Sequence, residues 1–168
     1  MMTPNRNVEC FVRSAMTAAV LIACAGAANA ATVQTNKACG LLTAAEVEAG
    51  LGFKSTLSPN SLGGCMGPTP THHTVGVELK AATPPGPNDE TTFIQFLKTQ
   101  GLQAEFKKFG STICWTGTPQ KAGVAFGSSC SVTKGAQTAT ISVTAESAKD
   151  VVPVEKLHLL AEKMATRL

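Results

Sequence analysis

Aromatic residues are scarce in this chain, whose 168 residues include seven Phe, one Trp and no Tyr. Sites that stack nucleic-acid bases use aromatic platforms, so this class of binding site is disfavoured. Net charge is also low: at +3 it is too weak to attract nucleic acid or anionic lipid by electrostatics alone. We therefore expect no nucleic-acid partner.

Long hydrophobic runs are absent as well. The apolar run over residues 15–25 spans about eleven residues, too short to cross a bilayer as a helix but typical of a signal-peptide core. Arg6 and Arg13 precede it, and Ala28-Asn29-Ala30 supplies a cleavage site with small residues at its ends. We therefore predict a signal peptide over residues 1–30 and an exported, periplasmic or secreted protein.

A second interpretation of the same region stays open. Leu21-Ile22-Ala23-Cys24 resembles a bacterial lipobox, in which cleavage before Cys24 would leave that cysteine as a lipidated N-terminus. The mature protein would then be lipid-anchored to the outer face of a bacterial membrane. Membrane contact is expected only through that anchor.

Four cysteines remain after the signal peptide: Cys39, Cys65, Cys114 and Cys130. An even number in an exported domain predicts two disulfides. Zinc binding is disfavoured because no pair has Cys-x-x-Cys spacing. Three pairings are open; chain order favours Cys39–Cys65 and Cys114–Cys130, but the sequence alone does not decide among them.

Residues 31–38 are polar and show no periodicity, so we predict a flexible leader there, followed by a single domain over 39–168. Its helices start at Thr43, where Thr43 and Glu46 form a capping box, at Asp89 or Thr91, and near Val154. Glu46 is thereby explained as a capping residue. Strands are expected over the ranges 62–67, 73–81, 111–116, 123–132 and 137–145.

The predicted order is therefore α-β-β-α-β-β-β-α. Runs of strands without strict helix alternation indicate an α+β fold, with an antiparallel sheet covered by helices on one face. The closing helix carries Val154, Leu157, Ala161 and Met164 at helical spacing, a stripe that faces the core. Lys156 and Arg167 are expected in water.

The segment Cys39-Gly40-Leu41-Leu42-Thr43-Ala44-Ala45-Glu46-Val47, followed by Leu51-Gly52, resembles the opening of a group of exported bacterial domains. Many are actinobacterial lipoproteins of unknown function that begin Cys-x-Leu-Leu-Thr-x-x-Glu-Val and continue to Leu-Gly. They commonly carry a second Cys on the next strand, which Cys65 matches, followed by an aromatic where Met66 stands here. The resemblance implies a compact exported α+β domain and no catalytic residue.

Histidines are the first candidates for chemistry. His72 and His73 are adjacent, and neighbouring strand residues point to opposite faces, so they are poorly placed to chelate one metal. We interpret both as solvated loop residues. His158 lies between Glu155 and Glu162, opposite the apolar stripe, and is expected to be exposed.

The match of Ser131-Val132-Thr133-Lys134 to Ser-x-x-Lys is interpreted as chance, because it falls on a predicted strand and lacks its partner motifs. We predict no catalytic residue, no metal site and no cofactor.

The single Trp115 has two interpretations: a ring packed against a disulfide under the sheet, which we favour, or an exposed binding anchor.

The leading hypothesis is an exported non-enzymatic binding or interaction module. Its partner would be an envelope or extracellular protein or a small ligand, contacted through Trp115, Met66, His72 and His73. The alternatives are a small exported hydrolase assembled from scattered residues, and an inhibitor or accessory of an exported enzyme. A carboxylate or Ser near a histidine in a pocket favours the hydrolase. An exposed apolar patch near Trp115 or Met66 favours an interaction with another protein.

Overall fold

The computed structural model describes residues 36–82 and 89–168. The predicted signal peptide over 1–30, including Cys24, lies outside the described residues. So do residues 31–35 of the predicted leader and residues 83–88 of the loop before the second helix.

A seven-stranded antiparallel sheet organises the domain, and the predicted α+β class is confirmed. Its spatial order is β1-β2-β3-β7-β6-β5-β4. The strands are β1 (Ser58–Pro59), β2 (Cys65–Pro68), β3 (Thr74–Ala81), β4 (Leu102–Phe109), β5 (Thr112–Pro119), β6 (Phe126–Lys134) and β7 (Gln137–Ala145).

Within residues 36–82 and 89–168, three α-helices accompany the sheet: α1 (Ala44–Leu51), α2 (Asp89–Thr99) and α3 (Val154–Ala165). The predicted element order differs from the structure by two strands, because β1 and β4 were not expected. A 3-10 helix over Lys37–Gly40 buries Ala38 completely, so the folded part of the chain begins before the predicted boundary at Cys39.

The start of α1 follows the sequence pattern closely. The Thr43 hydroxyl accepts a hydrogen bond from the Glu46 backbone N–H at 3.2 Å, and the Thr43 N–H donates to the Glu46 carboxylate at 2.9 Å. These two bonds form the predicted capping box. Gly52 ends the helix at φ 84, a left-handed conformation that glycine adopts without steric cost.

An ion pair that was not predicted from the sequence joins α1 to the residues that follow α3. The Arg167 guanidinium binds both oxygens of Glu46 at 2.8 Å and donates to the Leu41 carbonyl at 2.6 Å. The hydrogen bonds from Arg167, together with the Thr43 N–H, lower the pKa of Glu46 from its ordinary 4.5 to about 2. Arg167 is exposed, as expected, and its fork-shaped side chain fastens the residues that follow α3 to α1.

The free energy of unfolding should therefore fall at low pH, partly because Glu46 becomes protonated there. A carboxyl group whose pKa is lowered by folding stabilises the native state above its ordinary pKa. That stabilisation is lost as the pH falls from about 5 towards the folded value of about 2. We expect Glu46→Gln to cost on the order of 1 kcal/mol at pH 7 and to flatten the acid limb of the stability curve. Urea unfolding between pH 2 and 7 measures this, and Arg167→Met should flatten the same limb. An unchanged limb in both variants would contradict the assignment.

The core lies between α3 and one face of the sheet. Leu157, Leu160 and Met164 on α3 are at most 1 % exposed, as is Ile141 on β7. Leu160 was absent from the predicted stripe. It is buried because α1 packs alongside α3 and widens the covered face of that helix.

Both disulfides have the pairing that chain order favoured. Cys39–Cys65 fastens the 3-10 helix to β2, and Cys114–Cys130 joins directly paired residues of β5 and β6. Disulfides of this kind form and persist in oxidising compartments. The two bridges therefore indicate a non-cytoplasmic protein.

The second helix lies on the opposite face of the sheet from α3. Cys130 contacts the Val154 carbonyl of α3 through its sulfur, and its partner Cys114 shares that face. Trp115, the next residue along β5, points the other way, and Phe93 of α2 packs on its ring. The prediction of helices on one face therefore fails for α2, because the apolar side chains of β4 and β5 on the far face need their own cover.

Candidate functional site

An exposed aromatic patch surrounds the single tryptophan. We define the aromatic patch as Phe93, Phe96, Phe106, Ile113 and Trp115. The Phe93 ring lies at its centre, with centroid distances of 6.1 Å to Trp115, 6.0 Å to Phe106 and 6.4 Å to Phe96. Phe93, Ile113 and Phe96 are 38 %, 45 % and 54 % exposed. A group of large apolar side chains in water is typical of an interaction site.

Strand alternation and register assemble this patch. Ile113 and Trp115 are two residues apart on β5 and so share a face, and the register places Phe106 directly opposite Trp115. Gly117 completes the arrangement, because a Cβ atom at that position would lie 2.9 Å from Cζ3 of the indole ring. The glycine lets the ring lie along its own strand, half-buried beneath Phe93.

An uncharged row extends across the sheet from the patch, whereas Lys108, ion-paired with Glu90, lies opposite Ile113. One cross-strand row on this face runs from Trp115 through Ser129, Ser142 and Gly76 to Met66, and all five residues are uncharged. The two apolar residues predicted to form a binding surface thus lie on the same face, four strand spacings apart, or roughly 19 Å. Depletion of charge together with aromatic enrichment characterises the centre of protein–protein interfaces.

The two adjacent histidines do not lie in this patch. His72 is exposed at a positive φ of 60°, and its Nδ1 is 3.6 Å from Glu146. His73 is buried, contrary to the solvated loop position expected from the sequence. Its ring stacks on Phe53, its Nε2 donates to the Asp150 carbonyl at 2.7 Å, and its Nδ1 shares a hydrogen bond of 2.8 Å with the Thr71 hydroxyl. Both ring nitrogens have hydrogen-bond partners, so His73 has a structural role.

The third histidine lines a surface cavity of about 500 Å³. His158 was expected to be exposed, but its side chain is only 16 % accessible because it stacks on Phe109 at 4.3 Å. The β4–β5 hairpin turn, with Ser111, forms the opposite wall of the cavity. Nε2 of His158 faces the Glu162 carboxylate at 3.4 Å, so the structure does contain a histidine–carboxylate pair in a concavity.

This pair is poorly arranged for hydrolysis. A general base needs one ring nitrogen towards the carboxylate and the other towards the nucleophile. Nδ1 of His158 is instead buried, and within residues 36–82 and 89–168 it has no hydrogen-bond partner. Ser111 lines the cavity, but no hydrogen bond between it and His158 occurs in that part of the chain.

The Ser-x-x-Lys match also lacks catalytic geometry. The Ser131 hydroxyl shares a hydrogen bond of 2.8 Å with Thr140, whereas the Lys134 ammonium donates to the Ala165 carbonyl at 3.0 Å. Three residues apart on strand β6, the two side chains leave opposite faces of the sheet. The lysine therefore has no access to the serine.

The described residues contain no group of three or more His, Cys, Asp or Glu side chains placed to hold a metal ion. No helix in the described ranges is long and apolar enough to cross a membrane.

Comparisons with protein-family models, curated protein sequences and solved structures find no match. The candidate site therefore rests on its own geometry.

Sequence reasoning identified Trp115 and Met66 but missed most of the aromatic patch. Phe93, Phe96 and Leu97 recur at the spacing of one core-facing helical stripe, but of the three only Leu97 is buried. The available signal was that α2 carries more apolar side chains than one core-facing stripe needs.

Proposed function

We propose that this protein is an exported, non-enzymatic interaction module that binds a partner protein through the aromatic patch. The observation that carries the proposal is the exposure of Phe93, Phe96 and Ile113 together, beside an uncharged row of residues that extends from Trp115 across the sheet. Export is supported by the two disulfides and by the signal-peptide pattern over residues 1–30. Cleavage after Ala30 and lipidation at Cys24 remain alternative forms of the mature N-terminus.

A partner protein fits this surface better than a small ligand does. Small-ligand sites are concave and bury most of the ligand. The patch instead presents the exposed rings of Phe93 and Phe96 on α2 and the exposed side chain of Ile113 on β5, and burying such side chains against a complementary surface is a common source of binding hot spots. The resemblance to exported lipoprotein domains supports the same extracytoplasmic setting.

An inhibitor or accessory of an exported enzyme is one form of this function. The alternative of a small exported hydrolase finds its only support in the His158–Glu162 pair. The buried Nδ1 of that histidine weighs against it.

Substitution of Phe96 should separate binding from folding. Phe96→Ser removes an exposed ring and should reduce capture of the partner at least about tenfold, as expected for a hot-spot residue, while leaving the fold intact. Leu159→Ser is the matched control, since Leu159 is 59 % exposed and lies on α3. The measurement is capture from the native envelope with tagged wild-type, Phe96→Ser and Leu159→Ser proteins. A partner captured equally by all three would place the binding surface elsewhere.

A further inference from the structure

The two edges of the sheet differ in how well they are protected. One edge is β1, which has two residues and includes Pro59. Short strands and prolines discourage pairing with another chain. The other edge is β4, with eight residues and no proline. In the described part of the chain, β4 is the long edge strand available for pairing.

The register identifies which backbone groups of β4 point away from the sheet. Phe109 pairs with Thr112 across a two-residue hairpin loop, so these two exchange hydrogen bonds. Bonded and non-bonded pairs alternate along an antiparallel ladder. The N–H and C=O groups of Ala104, Phe106 and Lys108 therefore point outward, without a partner strand.

We propose that β4 pairs antiparallel with β4 of a second copy of this chain, about a two-fold axis at Phe106. Phe106 would then exchange two hydrogen bonds with its own equivalent. Ala104 would do the same with Lys108 of the second copy, twice by symmetry. The result is a continuous sheet across two copies of the chain.

The charges on β4 are self-complementary in this register. Glu105 comes to lie opposite Lys107 of the second copy, in a non-hydrogen-bonded pair where side chains approach closely. The symmetry axis creates this contact twice. Lys107 already contacts Glu155 of its own chain at 2.5 Å, so each contact would become a three-charge cluster.

Helix α2 is self-complementary about the same axis. Glu90, Ile94 and Lys98 recur every four residues and form one stripe along the helix. The ion pair between Glu90 and Lys108 at 3.2 Å places this stripe on the β4 side of the helix. Antiparallel packing about Ile94 sets Glu90 opposite Lys98 of the second copy.

The helices also have room to meet. The Phe93 ring of α2 is 6.0 Å from Phe106 on β4 and 6.1 Å from Trp115 on β5, so this ring lies above the boundary between these strands. Helices centred on that boundary in both copies would be separated by roughly 10 Å across the joined sheet, the distance at which helices normally pack. Both aromatic patches would then lie on one face of the dimer. Only this placement of the two patches rests on the proposed function; the pairing of β4 does not.

Sedimentation equilibrium of the purified exported protein tests the second copy directly. We expect a reversible dimer, and a dissociation constant raised roughly tenfold or more by Glu105→Lys, which sets like charges opposite each other twice. Ala104→Pro should act similarly, because it removes an outward N–H without touching the bonds to β5. The double variant Glu105→Lys/Lys107→Glu restores opposite charges and should recover dimerisation. Circular dichroism and thermal unfolding confirm that each variant is folded.

Crosslinking tests the position of the axis. Ile94→Cys should form a covalent dimer under mild oxidation, whereas Gln95→Cys, one position away and exposed, should not. A monomer at all concentrations would overturn the proposal, as would a dimer that is indifferent to both Glu105→Lys and Ala104→Pro. Either result would leave partner capture through Phe96 intact, so the two proposals can fail separately.

Discussion

Truncation of Leu157 to alanine should lower the free energy of unfolding by about 2–5 kcal/mol. Leu157 is completely buried where α3 packs on the sheet, so the variant loses the transfer free energy of its side chain and leaves a cavity. Urea unfolding monitored by circular dichroism measures the difference. The slope of the transition with urea should stay unchanged, as expected when the folded state survives.

Two neighbouring substitutions calibrate this result. Leu159→Ala changes the same residue type on the same helix at a position that is 59 % exposed, and should cost less than about 0.5 kcal/mol. His158→Ala removes the ring stacked on Phe109 and should cost about 1 kcal/mol. Equal losses of unfolding free energy in Leu157→Ala and Leu159→Ala would show that α3 does not turn Leu157 towards the core and Leu159 towards solvent.

Loss of the disulfide between Cys39 and Cys65, which are 26 positions apart, should cost about 3.5 kcal/mol, because the unfolded chain gains freedom. The bridge between Cys114 and Cys130, which are 16 positions apart, should contribute about 3 kcal/mol. The paired variants Cys39→Ala/Cys65→Ala and Cys114→Ala/Cys130→Ala test the two bridges separately in urea.

Reduction of both bridges together should remove a large share of the stability of a domain of this size. A reductant should therefore lower the melting temperature of the wild type by far more than that of either paired variant. Four free thiols in the native protein would refute the disulfides, and with them the indication of a non-cytoplasmic protein.

Features that depend on neighbouring residues were predicted well from the sequence. The capping box of Thr43 and Glu46 and the end of α1 at Gly52 are local hydrogen-bonding and backbone requirements. They depend little on the rest of the fold. The strand Thr74–Ala81 alternates in sequence because one of its faces is buried.

Features that depend on distant residues were missed. Strand β4 carries Glu and Lys on an edge, so its alternation was weak, and it is fixed by pairing with β5. His158 is covered by Phe109 at the end of β4, and Arg167 binds Glu46, which lies 121 positions earlier in the sequence. None of these contacts follows from the periodicity of one element.

The candidate site shows the same division. The lone Trp115 and the exposed Met66 could be singled out by residue type. The patch itself could not, because it needs α2 on the far face of the sheet and Gly117 beside the indole ring. The prediction that helices cover only one face of the sheet left no helix to form a patch on the other face.

Photo-crosslinking from position 96 tests the proposed binding surface most directly. A photoreactive phenylalanine analogue replaces Phe96 with a similar ring at a site that is 54 % exposed, and the same analogue at position 159 serves as the control. Irradiation of the intact envelope should give a discrete adduct with a partner protein from position 96 and not from position 159. The same adduct from both positions, or from position 159 alone, would contradict the account.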